Sequence, residues 1–275
     1  MMRGLQVDAL GLEIGPSFSP VAPRSKGYRV EIMDVVDSDA LRAKYAGQGV
    51  ELGAIEEVDF LLDGRGFADL TGKPRGYAWI IASHVIEHVP DFVGFLAECE
   101  SVLREDGILS LAVPDMRHSF DRLRMPTSIQ AVVDAHLEKR TRHTRGRAVD
   151  YYLNVVSLAG LTAWTPAIAR REGDESLAFF HNAADAIAAL RMPEAELDID
   201  IHAWCFTPSS FRLLLSDLHA IGLTGLRERD FAAHENEFLV KLSRQGEGAQ
   251  LSRIELLRRV ESELGLGGRA MRGRH

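Results

Sequence analysis

Residues 79–115 read WIIASHVIEHVPDFVGFLAECESVLREDGILSLAVPD, and this stretch decides the fold. Tyr77–Ala82 is a nearly continuous apolar run, the pattern of a strand covered on both faces. Asp91–Leu103 has helical apolar spacing with Asp91 as its cap, and Asp106-Gly107 reads as the turn that follows. Ile108–Val113 is the next strand, ended by Pro114. A strand, a helix and a second strand within so short a stretch require the two strands to run parallel, joined by a right-handed crossover.

Working outward, Ala9–Ile14 is a strand candidate stopped by Gly15-Pro16, and Tyr28–Met33 is another that stops at Asp34. Ser38–Tyr45 reads as a helix with Ser38 as its cap, and Val58–Leu62 as a strand stopped by Asp63-Gly64. Toward the other end, Thr207–Ile221 is a helix with Thr at the cap and Pro in the first turn. Thr224–Asp230 and Glu237–Ser243 follow as strands, and the short polar link between them predicts an antiparallel hairpin. The expected fold class is therefore α/β, with a doubly wound and mostly parallel sheet. The expected divisions are 1–115 and 207–245 for the sheet domain, 116–206 for a helical insertion, and 246–275 for a terminal helix and a basic tail over Arg269–His275.

The chain has 275 residues, 46% hydrophobic and 26% charged, with a net charge of −8. That balance excludes a disordered tail protein and a disulfide scaffold, and it argues against a duplex nucleic-acid partner. Cys99 and Cys205 are far apart and outside any CxxC spacing, so both read as reduced. No apolar run is long enough for membrane insertion, and the first residues lack a signal-peptide pattern, so the expected compartment is the cytoplasm.

In an open α/β sheet, ligands bind beyond the carboxyl ends of the strands. The residues there are Glu13, Gly15, Pro16 and Ser17, then Asp34, Asp63 and Gly64, Ser83 and His84, and Pro114-Asp115. Asp34 lies 21 residues past Glu13, the spacing at which a carboxylate can accept both hydroxyls of a ribose. A pyrophosphate cradle needs G-x-G-x-x-G, whereas GPSFSP at 15–20 has one Gly and two prolines without amide donors. The loop suits a nucleoside whose arm carries no phosphates, a description that S-adenosylmethionine (SAM) meets.

LEIG at 12–15, Asp34, Asp63-Gly64 and above all the 79–115 block resemble class I SAM-dependent methyltransferases of the broad "methyltransferase type 11" group. The resemblance implies a seven-stranded Rossmann-like sheet with its last strand antiparallel, SAM as cofactor, and methyl transfer to an acceptor. It places Glu13 and Gly15, with Pro16 and Ser17, beside the methionine arm, Asp34 on the ribose, Asp63 and the Gly64 amide facing adenine, and Ser83-His84 near the sulfonium. The first loop departs from the family's G-x-G-x-G. A hydroxyl acceptor also requires a general base. His118 is the first candidate for it and Asp115 the second, while His202 precedes the last helix.

Three further features have competing readings. His84-Val85-Ile86-Glu87-His88 matches the inverted zinc-peptidase motif H-x-x-E-H. That motif needs a helix, and Pro90 allows a single turn at most, so no metal is expected and Glu87 and His88 read as structural. The basic run at 139–147, with four Arg to one Lys, reads either as a solvated face or as a surface for an anionic acceptor such as a phosphorylated sugar. Trp164, Phe179, Phe180 and Trp204 are expected to pack the insertion's own core. The expected function is methylation of a small-molecule or sugar acceptor; a catalytically inactive binding module of the same fold is the alternative, and a nicotinamide oxidoreductase a third.

Overall fold

The computed structural model describes residues 1–197 and 199–266; the expected basic tail lies outside them. The elements run β1 (Gly11–Ile14), β2 (Val30–Asp34), α1 (Ser38–Tyr45), β3 (Phe60–Leu61), α2 (Phe67–Thr71), β4 (Tyr77–Ser83), α3 (Phe92–Val102) and β5 (Leu103–Pro114). Then come α4 (Ile129–Leu137), α5 (Arg145–Asn154), β6 (Val156–Leu158), α6 (Pro166–Glu172), β7 (Leu177–Phe179) and α7 (Ala183–Arg191). The chain closes with α8 (Pro208–Ala220), β8 (Arg227–Ala233), β9 (Glu237–Ser243) and α9 (Arg253–Glu263).

Seven strands form one sheet in the order β3-β2-β1-β4-β5-β9-β8. The first five are parallel, and β9 lies antiparallel to both β5 and β8. This is the doubly wound, mostly parallel seven-stranded sheet, with its last strand in the chain antiparallel, that the sequence leads one to expect. β6 and β7 form a separate two-stranded ribbon between α5 and α7.

Strand β4 sits between β1 and β5 and is apolar on both faces. Ile80 and Ala82 pack with Leu12, Met33, Phe92, Leu96 and Phe211 on one side. Trp79 and Ile81 pack with Leu5, Ala22, Val30 and Ile32 on the other. The first side is closed largely by helices. The second is closed by the N-terminal residues and the first connection, because 15–29 hold only a three-residue turn of 3-10 helix at Arg24–Lys26.

Most elements match their expected limits, with local differences. The cap of α1 is Asp37, whose carboxylate accepts from the Ala40 amide, and Ser38 is the first helical residue. β5 begins at Leu103, so Asp106 and Gly107 lie inside the strand and form no closing turn. β8 is shifted three residues past its expected start, and it carries a bulge between Glu228 and Asp230. The cap of α8 is Thr207 with Pro208 at its first position, and α3 is capped by Asp91 as read. Trp164 is buried among insertion residues, whereas Trp204 packs in the main core. Phe179 and Phe180 are exposed at the end of the narrow two-stranded β6–β7 ribbon, which corrects their expected core role.

Gly11 pairs with Trp79 in register, and a Cβ on it would lie 2.1 Å from the Trp79 Cε2 atom. The indole is fully buried and donates through Nε1 to the Ala9 carbonyl at 3.2 Å, so it has no room to retreat. Gly11→Ala is therefore expected to cost about 1–3 kcal/mol of stability by overpacking, with Tm falling about 2–4 °C per kcal/mol. Gly53→Ala, which meets nothing within 4 Å, serves as the neutral control in the same thermal melts.

Candidate active site at the carboxyl edge of the sheet

Sequence order along the sheet reverses between β1 and β4, so the crevice beyond their carboxyl ends is the topological switch point. Gly15 leaves β1 with φ of 61° and donates its amide to the Met33 carbonyl at 2.8 Å, which ties the first loop to β2. A Cβ at Gly15 would sit 3.0 Å from a Val85 methyl, in a conformation that glycine alone adopts without strain. Pro16 is buried and Ser17 turns again at φ of 54°, its hydroxyl 2.7 Å from the Tyr45 hydroxyl.

Asp34 ends β2 and is only 6% exposed. Its Oδ1 accepts the Val35 amide at 2.7 Å. Burial raises its pKa, and the amides of Val35, Val36 and Ser17 oppose that rise. Beside it Phe18, Val35, Val36 and Leu61 expose apolar surface, with Leu61 paired to Asp34 across the strands. Gly15, Ser17 and Asp34 are thus brought together.

Glu13 points elsewhere. It is 1% exposed, and its two oxygens accept the amides of Val21 at 2.6 Å and Ala22 at 3.0 Å. Burial raises its pKa while these two bonds oppose the rise. Both oxygens are committed to backbone, so the carboxylate serves the first connection in place of the missing helix. Asp63 is exposed and faces Arg65, whose Nε is 2.9 Å from Oδ2; the guanidinium holds its carboxyl below the usual range. Gly64 follows at φ of 92°, also exposed.

Ser83 closes β4, and His84 adopts φ of 55°. The His84 Nε2 lies 2.8 Å from Glu237 Oε2, and Nδ1 lies 3.5 Å from Glu87 Oε1. Those carboxylates raise its pKa to about 10, which makes the ring a cation at neutral pH.

Beyond β5, Asp115 is buried and clamps Arg117 through the Arg117 amide at 3.1 Å and its guanidinium. His118 lines a cavity of about 250 Å³ with Arg117, Arg122, Trp164, Asp174 and Glu263; none of the β1–β2 residues lines it. Burial lowers the His118 pKa, and its Nδ1 is buried with no hydrogen-bond partner among the described residues. The basic run borders a cavity of about 880 Å³ lined by residues 138–146 with Glu194, Ala195 and Leu197. Arg147 instead turns inward, its guanidinium 4.4 Å from the centre of the Trp204 ring.

Sequence reasoning missed a buried polar cluster that links β4 to the 116–206 segment. Arg124 donates to Asp121 at 2.8 Å, to Asp150 at 2.7 Å and to the His202 carbonyl at 2.8 Å. His202 Nδ1 lies 2.5 Å from Asp121 Oδ2, and the His88 ring meets the His202 ring edge-on at 4.6 Å. Glu87 and His88 were visible as part of a motif, but nothing in the sequence joins them to residues more than a hundred positions away.

No family model matches the chain, and no curated protein does. Among solved structures it is similar to a SAM-dependent methyltransferase from Methanosarcina mazei, at 17% identity over 88% of this chain and 95% of that one, with a TM-score of 0.42. It is similar to the mitomycin 7-O-methyltransferase MmcR at 14% identity, over 89% of this chain and 50% of that one, with a TM-score of 0.40. It is also similar to the methyltransferase CalH in complex with S-adenosylhomocysteine, at 12% identity over 86% of this chain and 51% of that one, with a TM-score of 0.41. The chain thus spans about half the length of the latter two. Among the described residues, no helix is long and apolar enough to cross a membrane.

Glu13→Ala would leave two largely enclosed amides without acceptors, at about 1–3 kcal/mol for each orphaned group. Hydrogen exchange is expected to show the Val21 and Ala22 amides losing protection while the β4 amides keep theirs.

Proposed function

We propose that the chain is a SAM-dependent methyltransferase acting on a small-molecule or sugar acceptor. The observation that carries this reading is Asp34: an enclosed carboxylate at the end of β2, beside the switch point, with exposed Val35, Val36 and Leu61 around it. The residues suit an adenosyl ligand, because the carboxylate can accept from a ribose diol and the apolar side chains can cover a purine. GPSFSP offers no phosphate cradle, which favours an arm without phosphates.

When bound, SAM supplies a methyl already activated by its sulfonium. What remains for the chain is to align the acceptor and exclude water, a contribution of about 7–11 kcal/mol in well-oriented systems. Asp34 fixes the ribose, the Gly15–Ser17 turn borders the amino-acid arm, and Ser83 closes the strand end between them. Glu13 acts by shaping the first connection and makes no contact with the ligand. Asp63 meets the adenine edge only after releasing Arg65, so the Gly64 amide is the better donor there.

The 116–206 segment covers the acceptor, completing a sheet domain made of 1–115 and 207–245. His118 is the general base: burial keeps its ring neutral at pH 7, and Nδ1 is free to take a hydroxyl proton. Asp115 positions Arg117 at the mouth of that cavity. Arg142 and Arg145, both exposed beside the larger cavity, suit an anionic group on the acceptor.

Isothermal titration with SAM and S-adenosylhomocysteine tests the reading. Hydrogen bonds to a carboxylate are worth about 1.5–3 kcal/mol, so Asp34→Ala is expected to weaken both ligands about 10- to 150-fold, and to lower the Tm of the free protein because the Val35 amide loses its acceptor. Failure of both ligands to bind, or undiminished binding by Asp34→Ala, overturns it. Binding without transfer of labelled methyl to any acceptor in a broad extract screen favours instead the inactive binding module.

A further inference from the structure

Glu87, His88 and His202 each bring one donor atom to within 4.8 Å of the others. Glu87 is fully buried, yet neither carboxylate oxygen has a hydrogen-bond partner among the described residues. His84 Nδ1 stands 3.5 Å from Glu87 Oε1, beyond a close hydrogen bond, and its other nitrogen faces Glu237 at 2.8 Å. A carboxylate held in a protein interior without donors is costly unless a positive charge joins it.

The two histidines are set up as ligands usually are. A metal-binding imidazole commonly gives its second ring nitrogen to a carboxylate, which fixes the tautomer and ring orientation. His202 Nδ1 is 2.5 Å from Asp121 Oδ2, which leaves its other ring nitrogen for an ion. His88 Nδ1 comes within 2.9 Å of Asp200 Oδ1 as an ion pair, without a hydrogen bond among the described residues. The frame is rigid: the Glu87 carbonyl accepts the amides of Ala203 at 2.7 Å and Trp204 at 3.1 Å, which places His202 against the turn after β4. Asp121 is itself held by Arg124. An ion can enter from the His88 side, whose side chain is 34% exposed.

We propose that Glu87, His88 and His202 bind a divalent transition-metal ion, zinc by the character of the donors. Two imidazoles and one carboxylate form a three-ligand set that leaves a fourth tetrahedral position for water or another oxygen. Zinc–ligand bonds of about 2.0–2.1 Å place tetrahedral donors about 3.4 Å apart, so binding closes the donor separations from at most 4.8 Å to that value. The site differs from the H-x-x-E-H arrangement in the sequence, since His84 faces Glu237 and the second imidazole comes from a residue just before α8. The ion ties the β4 turn to the 116–206 segment, and this assignment does not rest on the methyltransferase reading.

The full chain, stripped with a chelator and then titrated with Zn²⁺ and with Co²⁺, is expected to take up one equivalent. Zn²⁺ is expected to raise its Tm, and Co²⁺ to give the visible absorption of a low-symmetry four- or five-coordinate centre. His88→Gln and His202→Gln are expected to abolish the stoichiometric uptake, while His136→Gln, on α4 beside Asp91, keeps it. Asp200→Asn removes only the outer partner of His88 and is expected to weaken Zn²⁺ about 10- to 100-fold. Glu87→Gln is expected to lose the Zn²⁺ response without lowering the metal-free Tm, an outcome that a purely structural carboxylate would not give. Absence of one-equivalent uptake by the unaltered protein, or its retention in both histidine variants, overturns the assignment.

Discussion

Strand β4 is enclosed on both faces, and everything at the functional edge depends on that constraint. Trp79, Ile80 and Ile81 have no solvent exposure, and their neighbours in β1 and β5 hold the strand in parallel register. A strand fixed so completely cannot shift along its axis without moving apolar side chains from one face to the other. The turn that follows is therefore delivered to one place, and Ser83 through His88 inherit their positions from it.

From that turn the structure builds in two directions. Toward β1 and β2, Val85 abuts Gly15, and the Gly15 amide reaches Met33 one residue before Asp34. Toward the other side, the Glu87 carbonyl anchors residues 203 and 204, and through them the polar cluster around Asp121 and Arg124. A single short loop thus couples the carboxyl ends of β1 and β2 to the 116–206 segment. The first connection reaches the same end by different means: with no helix to supply aligned amides, the Glu13 carboxylate gathers the backbone at Val21 and Ala22.

The strands of the main sheet were legible along the chain because parallel, two-sided burial leaves long apolar runs bounded by Gly, Pro and Asp; their order within the sheet was not. α3 and α8 were legible through Asp91 and Thr207, whose caps are local chemistry. Less was readable where structure depends on distant partners. The two residues of β3 are strand only through pairing with Met33 and Asp34. Glu13 reads as a ligand-facing acid because it stands at a strand end; its actual partners are eight and nine residues on, across a loop without periodicity. Asp34 ends β2, one residue past the expected strand end at Met33, and is buried there. The meeting of Glu87 and His88 with His202 is a tertiary event with no local signature.

The two rims of the sheet share a property. On one side β3 presents only two residues, and on the other β8 is interrupted by its bulge. The Gly248 amide also covers the Glu228 carbonyl at 2.9 Å. A long, continuous row of unsatisfied backbone groups would template a neighbouring molecule; here β3 is short and β8 is broken by its bulge. Each rim of the main sheet is thereby a poorer template for strand addition than a long, regular edge strand would be.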